Sequence, residues 1–262
     1  MSAALAAAIR DASSLLVVTG AGVSLASGIA TFRGSDPDAV WANDIMEKGT
    51  LRCFRRHPGA SWQWYSRRFG GIIGKLPNPA HTAIVALEQR QLTLGRGFTL
   101  VTQNVDGLHR AAGSQSLIEI HGSASRVRCA HDGCEHGAPR GSLPADRFDF
   151  TAVAQTGASE DVPTCPSCGA SLRPHVLWFD EYYTGHRDYR YDDALTASKR
   201  ADVVLFVGTS FAVGITASIV ETALQRGRAI FSIDPVSPPP HPRIDWLQQP
   251  AEVLLPEIVA GL

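Results

Sequence analysis

Short apolar runs rich in β-branched residues recur along the chain, and each ends in small or polar residues. The four clearest runs occupy residues 15–20, 98–104, 202–210 and 229–235. An uninterrupted apolar run of this length is typical of a parallel strand that is buried on both faces, with a polar loop at its carboxyl end. The pattern therefore predicts four central strands of one parallel sheet.

Helical periodicity appears between these runs. Residues 81–90 place Ile84, Val85 and Leu87 toward one side. Residues 216–227 end at Gly227, and glycine is the residue that most often follows a helix. Strands that alternate with helices predict an α/β fold with a doubly wound, Rossmann-like parallel sheet.

Two stretches interrupt the alternation. Residues 36–78 are rich in Trp, Arg and Gly and have helical tendency, whereas residues 126–172 hold two close pairs of cysteines and little regular pattern. We predict that both are insertions into a single domain that spans residues 1–262. The parts that form the α/β fold itself are then residues 1–35, 79–125 and 173–262.

The composition is that of an ordinary globular chain. The 262 residues are 44% apolar and 19% charged, and 24 Lys and Arg nearly balance 25 Asp and Glu. This balance gives no overall argument for nucleic-acid binding. No apolar run approaches the roughly 20 residues that span a bilayer. The first residues show neither a signal peptide nor an Arg-rich mitochondrial leader, so we expect a cytoplasmic protein that binds no membrane.

The cysteine spacing favours a metal. Cys129 and Cys134 form one pair and Cys165 and Cys168 the other, while Cys53 stands alone. Four thiolates on two short knuckles suit tetrahedral zinc, and a site with four protein ligands is closed and therefore structural. Two alternatives remain open: a nearby histidine replaces one cysteine, or the four thiols are unrelated buried or redox groups. The nearby histidines are His131 and His136.

A glycine-rich turn follows the first predicted strand. Gly20, Ala21 and Gly22 have the small size that lets backbone N–H groups approach a phosphate at a helix N-terminus. Leu25 stands where the third glycine of a dinucleotide-binding turn would lie, so a tight strand-to-helix turn without a ligand is an equal alternative. A second turn of this kind follows another strand and comprises Gly208, Thr209 and Ser210.

Polar residues also follow the second predicted strand. Gln103, Asn104 and Asp106 come directly after it, and His121 ends the next apolar run. Neutral amides can hold a ribose or an amide, and a histidine beside a nucleotide loop is a candidate base because its pKa lies near neutrality. The alternative for a lone histidine is a hydrogen-bonded core residue.

Taken together, these motifs resemble the sirtuin family. The match runs through residues 20–34, 102–109, 121–122, 173–181 and 208–210 and the two cysteine pairs, in the family's order. The resemblance implies a Rossmann-like sheet that binds NAD. A small module, made of a zinc ribbon (126–172) and a helical insertion (36–78), sits over that sheet. An acyl-lysine peptide enters the cleft between them.

The resemblance also implies roles for individual residues. His121 is the general base, and Asn104 joins it as the second catalytic residue. Val176, Trp178 and Phe179 contact the peptide. The products are free lysine, nicotinamide and O-acyl-ADP-ribose. The residues that contact NAD are Gly20, Ala21, Gly22, Thr31, Phe32, Arg33, Gln103, Asn104, Asp106, Gly208, Thr209, Ser210 and Asp234.

Four positions depart from the usual family pattern. Ala30 stands where Pro is frequent, Thr31 where Asp is frequent, Asp180 where Gly is common and Asp234 where Asn is common. The segment that contains Asp180 pairs with the substrate backbone in the family, so we expect an effect on peptide preference.

Tyr65 and Arg68 form a Tyr-x-x-Arg motif that resembles the sirtuins acting on succinyl-, malonyl- or glutaryl-lysine. A guanidinium offers a planar fork to a carboxylate, and a phenol adds a third donor. Residues 48–75 carry seven Lys or Arg and no Asp or Glu, and Cys53 lies where the class has a small residue. The alternative is a solvated helix with Tyr half-buried and Arg exposed.

Other functions share these motifs. A sirtuin-like ADP-ribosyltransferase or NAD glycohydrolase would use the same cleft, and a non-catalytic NAD-sensing module is a further alternative. A nucleic-acid role for the cysteine module is disfavoured, because residues 126–172 are not strongly basic and lack interleaved aromatic residues. We expect a monomer.

Overall fold

A computed structural model describes residues 2–30 and 47–262. The predictions for Thr31, Phe32 and Arg33 lie outside the described residues. Within them the helices are α1 (Ser2–Asp11), α2 (Leu51–Arg56), α3 (Pro58–Phe69), α4 (Pro79–Thr93), α5 (Leu108–Ala112), α6 (Thr151–Thr156), α7 (Tyr191–Arg200), α8 (Gly214–Gln225) and α9 (Ala251–Ala260). The strands are β1 (Ser14–Thr19), β2 (Gly97–Thr102), β3 (Leu117–Glu119), β4 (Gly122–Cys129), β5 (Leu143–Pro144), β6 (Leu172–Val176), β7 (Val203–Val207), β8 (Ala229–Ile233) and β9 (Asp245–Leu247).

The larger sheet is parallel throughout and has the order β3-β2-β1-β7-β8-β9. The chain builds outward from β1 through β2 to β3, and then continues outward from β7 on the other side of β1. The strand order therefore reverses between β1 and β7, where doubly wound sheets bind their ligands. The predicted α/β class is confirmed, and β3 and β9 extend the sheet at its two edges beyond the four strands that were predicted.

Strand β1 is buried on both faces because its side chains alternate between two cores. Leu15 and Val17 belong to a cluster that α1, α4 and α9 cover, whereas Leu16 and Val18 belong to a cluster that α7 and α8 cover. Such a strand has no solvent face, and this is why the sequence shows a continuous apolar run.

Asn78 forms the N-cap of helix α4. The Asn78 side chain accepts a hydrogen bond from the backbone N–H of Ala80 at 2.9 Å, and Pro79 occupies the first turn. The Asn78 amide also donates to the carbonyl of Val23 at 2.8 Å. The cap therefore fastens the start of α4 to the turn that follows β1.

The second sheet is antiparallel and has the order β5-β4-β6. It shares one hydrophobic core with α2 and α3, to which Phe54, Trp62 and Tyr65 contribute. The Trp62 indole stacks on Phe150 at a centroid distance of 4.3 Å, and its N–H donates to the carbonyl of Leu172 at 2.7 Å. Helices α2 and α3 and the antiparallel sheet thus pack together as one module.

None of the helices within residues 2–30 and 47–262 is both long and apolar enough to cross a bilayer.

Candidate functional site

The carboxyl ends of four parallel strands are joined by backbone hydrogen bonds. The N–H of Gly20 donates to Val207 at 3.0 Å, and the N–H of Gly208 donates to Ile233 at 2.9 Å. The N–H of Gln103 donates to Thr19 at 3.0 Å. The polar residues that follow β1, β2, β7 and β8 therefore meet at one edge of the sheet, at the point where the strand order reverses.

The glycines at this edge allow two loops to touch through their backbones. The N–H of Gly22 donates to the carbonyl of Gly208 at 2.8 Å. A Cβ atom on Gly22 would lie 2.7 Å from the Cα of Gly208, and one on Gly20 would lie 2.7 Å from the Gly208 carbonyl oxygen. Gly208 itself has a φ of 60°. Close loop packing thus accounts for these glycines, in addition to any contact with a phosphate.

A polar network connects the first glycine turn to the residues after β2. The Asn104 amide donates to the carbonyl of Gly20 and to Ser24 Oγ, each at 3.1 Å. Ser24 Oγ in turn donates to Asp106 Oδ2 at 2.8 Å, while Asp106 Oδ1 accepts the N–H of Leu108 at 2.9 Å. Asn104 and Asp106 are thus held beside the turn by Ser24, a residue that the sequence analysis did not single out.

Gln103 links three parts of the site. Its amide donates to the carbonyl of Thr19 at 3.1 Å and to Thr209 Oγ1 at 3.2 Å. Its backbone carbonyl oxygen lies 2.8 Å from Nδ1 of His121. Because a carbonyl oxygen can only accept, His121 carries its proton on Nδ1 and its lone pair on Nε2.

His121 is therefore held as a neutral imidazole with a defined orientation. Burial lowers its pKa below the ordinary value of a histidine, an effect that the hydrogen bond to Gln103 partly offsets. The following Gly122 has a φ of 82°, and a Cβ atom there would collide with the carbonyl oxygen of His175. The His-Gly pair is thus required by the backbone as well as by the chemistry of the imidazole.

His109 and His81 lie behind the site and are fully buried. Thr19 Oγ1 donates to Thr102 Oγ1 at 2.8 Å, and His109 Nε2 lies 2.9 Å from the same Thr19 oxygen. Burial lowers the pKa of His109 to about 3 and that of His81 to about 4. Both rings are therefore neutral and support the ends of β1 and β2.

The remaining predicted nucleotide contacts lie at the rim of this edge. Thr209 is buried, Ser210 is exposed and Asp234 is buried at the end of β8. Asp234 Oδ1 accepts the backbone N–H groups of Val236 at 2.9 Å and Ser237 at 2.6 Å. This carboxylate thus already shapes its own turn through one of its two oxygens.

The segment after β6 is held rigidly beside His121. The N–H of Leu177 donates to the carbonyl of His121 at 2.8 Å. Glu181 accepts hydrogen bonds from Arg128 and Arg173 at 2.7 Å each, and the Arg173 guanidinium lies 3.6 Å from the Trp178 ring centroid. Val176 and Trp178 are buried, whereas Phe179 remains half exposed at 50%.

Asp180 connects this segment to the helical insertion. Its Oδ1 accepts the N–H of Leu51 at 2.6 Å, and its Oδ2 accepts the N–H of Arg52 at 3.0 Å. The N–H of Phe179 donates to the carbonyl of Gly49 at 3.1 Å. Asp180 therefore satisfies backbone donors at the start of α2, where a glycine would leave them to water.

Tyr65 and Arg68 lie on α3, in and beside the core of the module. Tyr65 is 7% exposed, and its hydroxyl oxygen has no hydrogen-bond partner among the described residues. The Phe69 ring contacts both of them, at 4.5 Å from the Tyr65 ring and 5.7 Å from the Arg68 guanidinium carbon. Burial raises the pKa of Tyr65 and lowers that of Arg68. Cys53 is partly buried on the neighbouring α2.

The four paired cysteines converge on one point. The sulfur atoms of Cys129, Cys134, Cys165 and Cys168 all lie within 4.8 Å of one another, with separations of 3.4 Å for Cys129–Cys168 and 3.7 Å for Cys134–Cys165. Zinc–sulfur bonds of about 2.3 Å in a tetrahedron place the sulfurs about 3.8 Å apart, so the geometry fits one structural zinc ion. His131 and His136 do not belong to the cluster, and the four thiols form no disulfide.

His175, His186 and Asp188 form a second cluster of potential metal ligands. His186 uses both ring nitrogens, because Nε2 lies 3.0 Å from the carbonyl oxygen of Gly141 and Nδ1 accepts the N–H of Asp188 at 3.2 Å. Burial, chiefly, lowers the pKa of His175; Asp188 partly offsets this effect and the nearby Arg128 adds to it. The engaged nitrogens of His186 and the neighbouring cation disfavour a metal there, although neither ring nitrogen of His175 has a hydrogen-bond partner among the described residues.

Comparisons with known proteins agree with this geometry. The model of the Sir2 family matches residues 20–214. The NAD-dependent protein deacylase of Thermus thermophilus is 38% identical over 232 residues, which cover 88% of this chain and 83% of the relative. NAD-dependent protein deacylase 1 of Pseudomonas aeruginosa is 36% identical over 253 residues, which cover 96% of this chain and 95% of the relative.

Solved structures show the same relationship. A complex of a Sir2 homologue with NAD has a TM-score of 0.80 at 35% identity and covers 99% of this chain and 93% of its own. A complex of a mutant Sir2 homologue with ADP-ribose has a TM-score of 0.83 at 35% identity, and the match covers 100% of this chain and 96% of that homologue. The chain therefore belongs to the Sir2, or sirtuin, family.

Proposed function

We propose that this chain is an NAD-dependent protein lysine deacylase that removes acetyl groups and also succinyl or malonyl groups. Its products are the free lysine, nicotinamide and O-acyl-ADP-ribose. The observation that carries the proposal is the state of the His121 side chain. The imidazole is neutral, and because Nδ1 donates its proton to the Gln103 carbonyl, the lone pair lies on Nε2. Gln103 in turn contacts the loops at the point where the strand order reverses.

Each group at the sheet edge has a distinct task in this proposal. NAD, when bound, supplies the ribose carbon that the acyl oxygen attacks and the nicotinamide that leaves. His121 takes a proton at Nε2 from a ribose hydroxyl, and its low proton affinity keeps it available as a base at neutral pH. Asn104 and Asp106 hold the nicotinamide ribose and amide, in positions that Ser24 fixes. Ser210 would contact the phosphates, and Asp234 would contact the adenosine ribose.

The peptide lies along the segment after β6. Leu177 is fastened to the His121 carbonyl, so an acyl-lysine held by this segment is delivered beside the base. Phe179 offers an exposed aromatic surface to the peptide, while buried Trp178 and Val176 support it from below. An extended peptide that adds a strand here gains main-chain hydrogen bonds, which depend little on its sequence.

The acidic-acyl preference is supported by Tyr65 and Arg68. The Tyr65 hydroxyl is buried without a hydrogen-bond partner among the described residues, so a carboxylate would satisfy a donor that otherwise costs stability. A guanidinium one helical turn away supplies the opposite charge. Cys53, a small residue that is partly buried, lies on the neighbouring helix.

The first experiment compares acetyl-lysine and succinyl-lysine forms of one peptide by mass spectrometry, with and without NAD. NAD-dependent loss of the acyl group together with O-acyl-ADP-ribose is the expected result. Nicotinamide release without deacylation would instead identify an ADP-ribosyltransferase or NAD glycohydrolase. NAD binding with turnover of neither peptide would favour the NAD-sensing module.

The acyl preference is tested with Arg68→Met, which keeps the length and the apolar stem of the side chain. We expect desuccinylation to fall at least tenfold, which corresponds to about 1.4 kcal/mol, while deacetylation changes little. Arg67→Met, one position earlier on the same helix, is the matched control. Equal losses for both acyl groups would mean that Arg68 supports the fold and does not select the acyl chain.

A further inference from the structure

Tyr183 contacts the atom of His121 that acts as the base. The Tyr183 hydroxyl lies 3.3 Å from His121 Nε2, and the two rings stack at a centroid distance of 5.8 Å with an interplanar angle of 21°. Tyr183 opens the short helical turn Tyr183–Gly185, which follows Glu181 in the peptide-side segment. The contact therefore joins two parts of the chain that are 62 residues apart.

The direction of this hydrogen bond follows from the other side of the imidazole. Nδ1 of His121 donates to the Gln103 carbonyl, so Nε2 has a lone pair and can only accept. The phenol is therefore the donor. Burial raises the pKa of Tyr183 above its ordinary value, so the hydroxyl keeps its proton throughout the neutral range.

The phenol ring is fixed by its own neighbours. Tyr183 stacks on Tyr191 at a centroid distance of 5.0 Å and an interplanar angle of 10°. Both tyrosines pack against the hydrophobic cluster under α7 and α8. At the start of α8, a Cβ atom on Gly214 would meet the Tyr183 ring at 3.9 Å. These contacts hold the Tyr183 ring beside the imidazole, while rotation of its O–H bond still allows a substrate hydroxyl to reach the Nε2 lone pair.

We infer that Tyr183 is a positioning residue for His121, whose phenol holds the ring plane and stabilises the neutral imidazole by donating to Nε2. The inference rests on the proposed function in one respect, namely that His121 is the base of the reaction. A donor to the lone pair favours the unprotonated form and lowers the proton affinity of that nitrogen. It thereby adds to the effect of burial.

Among the described residues, the hydrogen-bond partners of the imidazole are the Gln103 carbonyl on one side and the Tyr183 phenol on the other, with Tyr191 behind the phenol. None of the ion pairs formed by the described residues includes His121. Removal of the phenolic hydroxyl is therefore expected to act on the imidazole, and it also removes a hydrogen bond between that hydroxyl and the backbone N–H of Ile215 in α8.

The test uses Tyr183→Phe, which keeps both ring stacks and removes only the hydroxyl. The matched control is Tyr182→Phe at the adjacent position, where the side chain is 80% exposed. Proton and nitrogen NMR of the protein without NAD follows the titration and tautomer of His121, whose signals are assigned with His121→Gln. A lost hydrogen bond to the neutral ring raises its pKa by about 0.5–1 unit, and no shift is expected in Tyr182→Phe.

Kinetics give the second readout. The acid limb of kcat/KM for deacylation reports the free enzyme's base, so it should move to higher pH by the same amount in Tyr183→Phe. At low pH the variant then loses several-fold more activity than the wild type. A merely structural role would lower activity at every pH without moving the limb.

The outcomes separate this inference from the proposed function. An unchanged His121 titration in Tyr183→Phe overturns the inference, whether or not the protein is a deacylase. A shifted titration supports the positioning contact even if the wild type deacylates no peptide, in which case the proposed function alone fails. A shifted titration with an unmoved acid limb would overturn the claim that the contact acts on the catalytic base.

Discussion

Three glycines, Gly20, Gly22 and Gly208, let the loops that follow β1 and β7 meet without side chains between them. Gly22 approaches Gly208 so closely that even a methyl group would lie 2.7 Å from its Cα. Real Cβ atoms are not found so near to backbone atoms, so an added methyl must push the two loops apart. The residues that hold Asn104 and Gln103 belong to these same loops.

Gly22→Ala should therefore damage both stability and NAD binding. Overpacking against backbone costs about 1–3 kcal/mol, and we expect the Kd for NAD to rise on the order of tenfold. Thermal unfolding and titration calorimetry with NAD measure the two effects. Gly71→Ala is the control, because nothing lies within 4 Å of a Cβ atom there and its φ is not positive. Wild-type affinity in Gly22→Ala would show that the loops can part without losing NAD.

Site residues could be predicted from the sequence where the signal is their spacing along the chain or their position after a strand. The cysteine spacing predicted a zinc site, and the four sulfurs converge. His121 and Asn104 follow strands directly, so the carboxyl edge of the sheet was the expected place for them. Ser24 and Tyr183 were not singled out, because their contacts depend on partners 80 or 62 residues away. A serine in a turn or a second tyrosine after an acidic residue carries no signal of such a distant partner.

At the scale of elements, the short helix α2 depends on a cap from another part of the chain. Its N-cap residue is Thr50, whose hydroxyl accepts the N–H of Cys53 at 3.1 Å. Asp180 satisfies two more of its N-terminal donors, and its negative charge also suits the positive end of a helix. A helix of six residues has little stability of its own, so these contacts fix the position of Cys53.

Replacement of Asp180 by glycine, the common family residue, should loosen α2 and the peptide-side segment together. The loss of a cap costs about 1 kcal/mol, and we expect KM for the peptide to rise several-fold with a smaller change in kcat. For Asp180→Asn, which keeps one acceptor oxygen, we expect a stability and a KM between those of the wild type and Asp180→Gly. Urea unfolding and steady-state kinetics measure these effects. If all three proteins have the same KM, the cap does not shape the peptide site.

The alternation of strands and helices was also readable at this scale, but sheet order was not. Each central strand appeared as an apolar run because it is buried on both faces. Strand β9 has only three residues and an exposed Asp245, so no apolar run marked it. Helix α4 buries Ile84 and Leu87 as expected, whereas Val85 lies at the edge of that face.

At the scale of the whole molecule, the four clustered cysteines belong to a module whose apolar core is shared between the antiparallel sheet and helices α2 and α3. Cys129 ends β4, and Cys165 precedes β6, so a zinc ion held by the four cysteines would clamp the open ends of the antiparallel sheet. The resemblance to sirtuins placed both insertions in one module, but the residue pattern alone could not show that α2 and α3 complete its core, since their partners lie about a hundred residues away, as Trp62 and Leu172 do.

Removal of zinc should therefore open the module while the parallel sheet keeps its structure. Cys165→Ser is expected to lose its zinc and to exchange amide hydrogens of residues 122–176 at least about tenfold faster, with little change in β1 and β7. Metal analysis and hydrogen-exchange mass spectrometry measure this, with Cys53→Ser as the control. We expect one zinc per wild-type chain. Two would mean that the cluster of His175, His186 and Asp188 also binds a metal.

The position of His121 between the two sheets has a mechanical consequence. β3 ends at Glu119 and β4 begins at Gly122, so the chain passes from the parallel sheet to the antiparallel sheet at this histidine. The return passage is fastened to the same place, because Leu177 donates to the His121 carbonyl. A rotation of one sheet against the other about this point would change the width of the cleft between them and leave the imidazole in place.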